Sequence, residues 1–354
     1  MQKRAHLRKR LSELKLDGFM VSNLTNVRYL SGFTGSSGFL IIAKKKSVFV
    51  TDFRYKEQAH HEVQGCIIRI SRRERMKEIR DICNEYGIKK LGFEEDAVSY
   101  GEYRKLFRTK IRLRPLSGEI ETLRIIKTKD EIASIKKAVS RAEAAFRKLQ
   151  PHMKEGATEL KIALKFEELI KAEGCKLLPF GVIVASGSMS ALPHAKPTGR
   201  RLKKGDLVVF DWGGECNGYF SDMTRTVLLN GRNIARQKKL YYTVLNAQKR
   251  AISTVRSGLK TAIVDAAARD YIEQQGYGDH FGHGTGHGVG LAVHERPVVS
   301  WRNKEVIKNN MVFTIEPGIY IPGFGGVRIE DMIIVRQRRA ELLTSLPKRL
   351  KVIG

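Results

Sequence analysis

Short apolar runs of strand length alternate with charged, helix-like stretches over the first 122 residues. The runs are DGFMVS, GFLIIA, SVFVTD and CIIRIS, and RMKEIRDICNEYG is one of the charged stretches. The N-terminal stretch MQKRAHLRKRLSELKLDGFM is charged throughout and predicts an amphipathic helix. Because strands and helices follow each other in turn, the pattern predicts an α/β domain over residues 1–122.

A well-marked helix start separates this region from the rest of the chain. Thr128 stands three residues before Glu131, the spacing of a capping box in which hydroxyl and carboxylate each accept a backbone N–H. Apolar residues then recur at helical intervals: Ile132, Ile135, Ala138, Ala142, Ala145, Phe146 and Leu149. We therefore place the domain boundary just before this helix, with one domain at residues 1–122 and the other at 123–354.

The second domain groups its helices and strands in separate runs. Further helices are predicted at residues 160–170, 235–256 and 262–275. Strand-like segments lie between and after them: GVIVASG, LVVFDWG, YFSDMTRTVLL, MVFTIEPG and VRIEDMIIV. This distribution is typical of an α+β domain.

Four carboxylates stand in or beside these apolar strand segments. Asp211 ends the run LVVF, and Asp222 follows eleven residues later, across the turn-rich GGECNG. Glu316 ends the run MVFTI, and Glu330 lies fourteen residues on, within VRIED. A buried, uncompensated carboxylate is costly, and two of them on paired strands repel each other. A shared cation removes both problems, so the pattern indicates a metal site.

A glycine-rich segment with three histidines lies between the two acidic pairs. His283 and His287 have the spacing of a helical zinc motif, but the alternating glycines at 282, 284, 286, 288 and 290 disfavour a helix. His294 and Glu295 are not followed by the second histidine of HExxH, and the glycines do not match GxGxxG. The segment therefore predicts extended backbone that approaches a ligand closely.

The chemistry of this donor set limits the choice of metal. Four carboxylates and one imidazole suit Mn²⁺ first, with Co²⁺, Zn²⁺ or Fe²⁺ as alternatives. The acids are too many for a single ion with an open position. A pair of ions about 3.5–4 Å apart, bridged by carboxylates, accounts for them better.

The chain is strongly basic, with 65 Lys and Arg against 37 Asp and Glu and a net charge of +28. Residues 1–122 carry a net +11 and the remaining residues a net +17, so no basic arm stands out. We expect a solvated basic surface and no specific nucleic-acid site.

Cysteine spacing and hydropathy indicate the compartment. The four cysteines lie far apart without a CxxC pair, which is neither a disulfide framework nor a zinc finger: Cys66, Cys83, Cys175 and Cys216. No run approaches the roughly 20 apolar residues of a membrane span. The N-terminus lacks the apolar centre of a secretion signal. We therefore expect a cytoplasmic protein without membrane association.

Taken together, these motifs resemble the creatinase/aminopeptidase P/prolidase family of metallopeptidases. The resemblance rests on the order of DWG, SDMTRT, GTGHGVGL, VHE, TIEPGIY and RIED, and on NVRYLSGFTG and TDFRY near the N-terminus. It implies a pita-bread catalytic domain preceded by a creatinase-type N-terminal domain. Methionine aminopeptidases share the catalytic fold but lack this N-terminal domain. Asn310 departs from the pattern, since family members often have glycine before the MVF strand.

The resemblance also implies a set of metal ligands. Five residues would hold two divalent ions: Asp211, Asp222, His287, Glu316 and Glu330. Asp211 and Asp222 would bind one ion, and His287 and Glu316 would bind chiefly the other. Asp222 and Glu330 would bridge the two ions.

Further side chains match residues of the family that act on substrate. Three histidines are implied to bind substrate or stabilise the transition state: His194, His283 and His294. Glu316 is expected to accept and return a proton, and Arg328 to stand beside the bridging glutamate. Tyr320 is expected to pack in the core, and it is also a candidate for the proline pocket. The implied reaction is hydrolysis of the bond between an N-terminal residue and a following proline.

Several functions stay open at this point. We favour an Xaa-Pro aminopeptidase acting on peptides with proline at the second position, as a homodimer. A prolidase restricted to dipeptides would need a cation for the free carboxylate, and Arg296 or His194 could serve. An inactive pita-bread protein that binds nucleic acid is disfavoured because all five ligands are present. Creatinase-type C–N hydrolysis of a small amidine is a further, weaker option.

Overall fold

The chain forms two compact units, Met1–Arg124 and Ile125–Gly354. A computed structural model describes residues 2–108 and 111–353. Each unit contains its own clusters of buried apolar side chains, as chains of this length can support. None of the described helices combines the length and apolar character that crossing a membrane requires.

Among residues 2–108 and 111–124, six strands form one mixed sheet. The strands are β1 Gly18–Val21, β2 Phe39–Ala43, β3 Ser47–Thr51, β4 Ile67–Ile70, β5 Lys90–Glu94 and β6 Arg112–Leu116. Their order is β4-β3-β2-β1-β5-β6, with antiparallel pairing in β1–β2 and β2–β3 and parallel pairing elsewhere. The helices are α1 Gln2–Glu13, α2 Leu24–Ser31, α3 Lys56–Glu62, α4 Arg75–Glu85, α5 Tyr100–Phe107 and α6 Glu119–Arg124. The predicted α/β character is confirmed.

The central strands of this sheet are buried on both faces. In β2, Leu40 and Ile42 belong to one apolar cluster, while Ile41 and Ala43 belong to another. Successive side chains of a strand point to opposite faces, so the two clusters lie on the two sides of the sheet. This explains why the strand segments read as continuous apolar runs.

The second unit contains the four helices that the sequence predicts. They are α7 Lys129–Leu149, α8 Glu159–Ala172, α9 Ala235–Thr254 and α10 Thr261–Gln274. At the start of α7, Thr128 Oγ1 accepts from the Glu131 N–H at 3.3 Å and Glu131 accepts from the Thr128 N–H at 2.8 Å. The predicted capping box is therefore confirmed.

The strands of this unit form sheets that are antiparallel except for one pair. The strands are β7 Ile183–Ser186, β8 Leu207–Trp212, β9 Glu215–Cys216, β10 Tyr219–Phe220, β11 Met223–Leu229, β12 Gly286–Gly288, β13 Glu295–Val299, β14 Val312–Ile315, β15 Gly318–Ile321, β16 Gly325–Arg328, β17 Asp331–Arg336, β18 Arg339–Leu342 and β19 Lys351–Ile353. The larger sheets have the orders β19-β11-β8-β7 and β13-β12-β14-β17-β18, and only β11–β19 pair in parallel. These helices and sheets confirm the predicted α+β class.

The segment VRIED differs from the sequence prediction. A continuous strand with Arg328 and Glu330 on one face was expected, but β16 ends at Arg328 and β17 begins at Asp331. The chain changes sheets there, because β16 pairs with β15 and β17 pairs with β14. Glu330 lies in the break, where its N–H donates to the Thr224 carbonyl at 3.1 Å.

The turn before β14 accounts for the departure from the family pattern. Asn310 has a φ of 64°, in the left-handed region that glycine adopts freely and asparagine tolerates better than most residues. Its side-chain oxygen accepts from Arg336 at 2.7 Å. Asparagine therefore serves this turn in place of glycine.

Candidate metal centre

The first acidic pair lies on the antiparallel strands β8 and β11. Asp211 is opposite Thr224 in the register, and Asp222 directly precedes β11. Asp222 is 3% exposed. Two strands of one sheet thus bring both carboxylates to the same end, as the sequence predicts.

The second pair of ligand candidates lies on β12 and at the end of β14. His287 Nε2 is 3.2 Å from Glu316 Oε1 and 3.6 Å from Asp222 Oδ2. Thr314 Oγ1 accepts from the His287 N–H and donates to Glu316 Oε1, each at 3.0 Å. His287 Nδ1 lies 3.1 Å from the Gly288 carbonyl, which only accepts, so Nδ1 carries a proton. Nε2 therefore faces the carboxylates.

Glycine in this segment is required by the close approach of neighbouring backbone. A Cβ atom at Gly286 would collide with the Thr314 carbonyl, and one at Gly288 with the Arg296 carbonyl. Because these positions admit no side chain, His287 can lie on an extended strand packed between β13 and β14. The predicted extended course is confirmed at Gly286–Gly288, while close approach of the segment to a ligand stays a prediction.

Glu330 is tied to its surroundings through Thr224. Glu330 Oε2 accepts from Thr224 Oγ1 at 2.7 Å, and Thr224 Oγ1 in turn accepts from Arg328 Nε at 3.1 Å. The Arg328 guanidinium also donates to Asp211 Oδ2 at 2.5 Å. The Thr224 hydroxyl and the Arg328 guanidinium therefore orient the carboxylates of Glu330 and Asp211, which come from distant parts of the chain.

The carboxylates and imidazoles of the site lie close to one another. In each of three overlapping groups, one ligand atom per residue lies within 4.8 Å of the others; the groups are Asp211–Asp222–Glu330, His287–Glu316–Glu330 and Asp222–His287–His294. Asp211 Oδ1, Asp222 Oδ1 and Glu330 Oε1 are buried and have no hydrogen-bond partner among the described residues. Buried polar atoms are seldom left unpaired, and convergent anionic oxygens beside an imidazole fit divalent cations.

The electrostatics of the cluster agree with this fit. Burial, followed by the neighbouring carboxylates, holds the pKa of Asp222 and of Glu330 well above the usual range. Burial also raises the pKa of Asp211, although Arg328 opposes it. Burial disfavours the charged form of His287, yet the neighbouring Glu316 and Asp222 raise the pKa of His287 to about 9. Burial likewise disfavours the charged form of Glu316, yet the neighbouring His287 lowers the pKa of Glu316 to about 2. One imidazolium and the Arg328 guanidinium do not offset four acids, and divalent cations would.

Arg328 also connects the cluster to Tyr320 and His283. Arg328 donates to the Tyr320 hydroxyl at 2.9 Å, and that hydroxyl lies 2.9 Å from His283 Nε2. His283 Nδ1 is 2.7 Å from the Gly284 carbonyl and must be its donor. In the neutral imidazole, which burial favours by lowering the pKa of His283, Nε2 then accepts the Tyr320 proton.

The other two predicted histidines stand at the more open side of the cluster. The ring of His294 is 4.3 Å from that of His287, centroid to centroid. Burial first, then the charge of His287 and more weakly that of His194, lowers the pKa of His294. His194 is exposed, on a loop whose Pro193 carbonyl accepts from Arg328 at 3.2 Å.

Three polar side chains of this site were not predicted from the sequence. Thr224 and Thr314 bind the carboxylates of Glu330 and Glu316. Tyr320 joins His283 to Arg328, a link that the expected core packing and proline-pocket role did not include. The sequence did carry a signal for the threonines. Thr224 lies two residues from Asp222 and Thr314 two residues from Glu316, and residues two apart on extended backbone share a face. Nothing local distinguished Tyr320.

Comparisons with known proteins agree with this geometry. Residues 133–337 match metallopeptidase family M24, and residues 3–126 match the creatinase/prolidase N-terminal domain. A solved Xaa-Pro dipeptidase from Bacillus anthracis is 40% identical, with a TM-score of 0.97, over 100% of this chain and 99% of the other. A solved X-Pro aminopeptidase from Thermotoga maritima is 34% identical, with a TM-score of 0.90, over 97% and 100%. An Xaa-Pro dipeptidase of Pyrococcus furiosus is 37% identical over 96% of this chain and 97% of that relative.

Proposed function

The chain belongs to metallopeptidase family M24, and from this membership we propose that it hydrolyses the bond between an N-terminal residue and a following proline. Its fold is the pita-bread catalytic domain preceded by a creatinase-type N-terminal domain. The observations that support the proposal most directly are the close clustering of the Asp211, Asp222, His287, Glu316 and Glu330 ligand atoms and the three buried carboxylate oxygens that have no partner among the described residues.

In this proposal the cluster binds two divalent ions, with Mn²⁺ as the first candidate. Asp211 and Asp222 would hold one ion, His287 and Glu316 would hold the other, and Asp222 and Glu330 would be shared by both. The groups support this assignment, because Asp222 and Glu330 each share one group with Asp211 and another with His287. When bound, such ions lower the pKa of a water toward neutrality and polarise the scissile carbonyl.

The residues of the chain supply the proton transfers and the stabilisation of charge. Glu316, held by Thr314 at 3.0 Å, accepts the proton of the attacking water and returns it to the proline nitrogen. His294 stabilises the developing oxyanion. His283 joins it only when its imidazole is protonated, because Nε2 of the neutral ring accepts from the Tyr320 hydroxyl. His194 contacts the substrate, and Arg328 holds Asp211 in place.

We assign the preferred substrate as a peptide of three or more residues. A dipeptide would leave its free carboxylate next to proline, and Arg296 was the candidate cation for it. The Arg296 guanidinium lies 2.9 Å from the Glu305 carboxylate, so it already has an anionic partner. His194, the other candidate for this carboxylate, is assigned to substrate contact in either case. The second candidate is an Xaa-Pro dipeptidase, which the names of the Bacillus anthracis and Pyrococcus furiosus proteins favour.

The proposal extends to the setting of the enzyme. The four cysteines are free thiols, which suits a reducing cytoplasm. We also propose that the enzyme acts as a homodimer and has no specific nucleic-acid partner.

A direct comparison of substrates tests the proposal. The Mn²⁺-loaded protein should release alanine from Ala-Pro-Ala at least about tenfold faster than from Ala-Pro, a difference of about 1.4 kcal/mol in transition-state stabilisation. Ala-Ala-Ala serves as the control and should be cleaved much more slowly. Faster cleavage of Ala-Pro would select the dipeptidase, and equal cleavage of Ala-Ala-Ala would refute the proline specificity.

A further inference from the structure

An ion pair on α10 lies outside the metal cluster and contacts the segment that precedes His287. Arg269 Nε and a terminal nitrogen donate to the two oxygens of Asp265, at 2.8 and 3.0 Å. Asp265 is fully buried, and the Arg269 side chain is 22% exposed. Most pairs one helical turn apart are solvated and contribute little. A buried pair needs further hydrogen bonds to offset its desolvation.

Those further hydrogen bonds all go to residues 281–285. Arg269 donates to the Phe281 carbonyl at 2.8 Å and to the His283 carbonyl at 2.7 Å. Asp265 Oδ1 accepts from the Thr285 N–H at 3.1 Å and from its hydroxyl at 2.8 Å. The pair therefore binds the segment at its beginning, middle and end, and we call it the α10 clamp.

The clamped segment would otherwise have wide conformational freedom. Gly282 and Gly284 flank His283, and glycine restricts the backbone less than any other residue. The Arg269 guanidinium also packs between the rings of Phe281 and Trp301, at 4.2 and 4.3 Å from their centroids. A rigid helix thus supplies the order that the sequence of the segment does not.

The clamp reaches a ligand candidate through Thr285. The Thr285 carbonyl accepts from the Glu316 N–H at 2.8 Å, while its side chain is held by Asp265. A displacement of Thr285 would therefore move the backbone of Glu316. The clamp has two arms: Arg269 acts on His283, and Asp265 acts on Glu316 through Thr285.

We propose that Asp265 and Arg269 are positioning residues that hold His283 and Glu316 in their working geometry. This inference rests on the proposed function for its effect on turnover. The order of the segment and the affinity for Mn²⁺ report on the clamp independently of turnover. Residues that orient ligands commonly change metal affinity or activity by about 10–100-fold when altered.

The test uses Arg269→Lys for the first arm and Thr285→Val for the second, with Thr285→Ser as the conservative variant that keeps the hydroxyl. Arg147→Lys is the matched control, because Arg147 also pairs with a carboxylate one turn away, Glu143, on a helix remote from this segment. The measurements are amide exchange over residues 281–285, Mn²⁺ affinity by calorimetry, and kcat and KM for Ala-Pro-Ala.

Arg269→Lys should speed exchange over residues 281–285 and lower kcat by about 10–100-fold, with KM changed less than about threefold. Thr285→Val should weaken Mn²⁺ binding by about 10–100-fold, and Thr285→Ser should restore it. Arg147→Lys should alter none of these. Unchanged exchange in Arg269→Lys, or wild-type Mn²⁺ affinity in Thr285→Val, would overturn the inference. Absence of proline-peptide cleavage by the wild-type protein would refute the proposed function instead.

Discussion

The Thr224 hydroxyl donates a hydrogen bond to Glu330 Oε2 at 2.7 Å. This bond joins β11 to the break between β16 and β17, which belong to two other sheets. The second oxygen of Glu330 is buried without a partner among the described residues. Thr224 thereby restrains the Glu330 carboxylate, which lies close to the carboxylates of Asp211 and Asp222. A carboxylate restrained in this way is prepared to bind a cation with little rearrangement.

Metal content provides the first prediction. Protein treated with a chelator should lose activity and regain it with Mn²⁺ or Co²⁺, because the ligand set is oxygen-rich with one imidazole. Elemental analysis should find about two ions per chain. Full activity with a single tightly bound ion would exclude the two-ion assignment.

The two acidic positions Glu330 and Asp211 should differ in their effect on metal binding. Glu330→Gln should reduce binding of both ions, since Glu330 belongs to both overlapping carboxylate groups. Asp211→Asn should weaken chiefly one ion, since Asp211 belongs to one group. Calorimetric titration with Mn²⁺ separates the two cases. Wild-type activity in Glu330→Gln would show that Glu330 is not a ligand.

Removal of the Arg328 guanidinium should impair activity without abolishing the fold. Arg328→Ala leaves Asp211 and Tyr320 without a donor that lies 2.5 and 2.9 Å from them. We expect activity to fall by about 10–100-fold, with a cooperative thermal transition retained at a lower temperature. Arg336→Ala, at a more exposed ion pair with Glu341, is the control. An equal loss of activity in both variants would argue against a specific role for Arg328.

The buried thiols predict how stability depends on pH. Burial raises the pKa of Cys83 to about 12, and burial raises that of Cys175 to about 11, from an ordinary value of 9.0. Between pH 9 and these raised pKa values, the unfolded chain releases thiol protons that the native state keeps. The free energy of unfolding should therefore fall as the pH rises above about 9.

This dependence can be assigned to one thiol by comparison with Cys83→Ala. The slope of stability against pH between 9 and 11 should be smaller in the variant than in the wild type. Iodoacetamide at pH 9.5 should modify Cys83 and Cys175 slowly in the native protein and rapidly after unfolding. Equal rates in the two states would contradict the protonated, buried thiols.

The basic surface should produce retention on polyanions without sequence preference. A net charge of +28 predicts binding to a polyanionic matrix at low salt that fades between roughly 50 and 200 mM. Asp222→Asn, which should abolish catalysis, should leave this retention unchanged. Sub-micromolar, sequence-selective binding in a mobility-shift titration at physiological salt would instead require a second function.

The sequence by itself determined the elements and the candidate ligands whose signals are local. The α7 helix begins at Thr128 because a capping box needs only residues three positions apart. The acids in apolar strand segments were recognisable because burial of a charge is costly wherever the strand packs. The extended course of the glycine-rich segment followed from the low helix propensity of glycine.

Only the tertiary structure decided how those pieces meet. The break before Asp331 depends on the pairing of β16 and β17 with different partners, which strand periodicity does not encode. Tyr320 was expected in the core, and its hydrogen bonds to His283 and Arg328 require a donor and an acceptor from separate segments. The α10 clamp likewise depends on how a helix packs against a loop. Such contacts join residues far apart in the chain, so no local spacing specifies them.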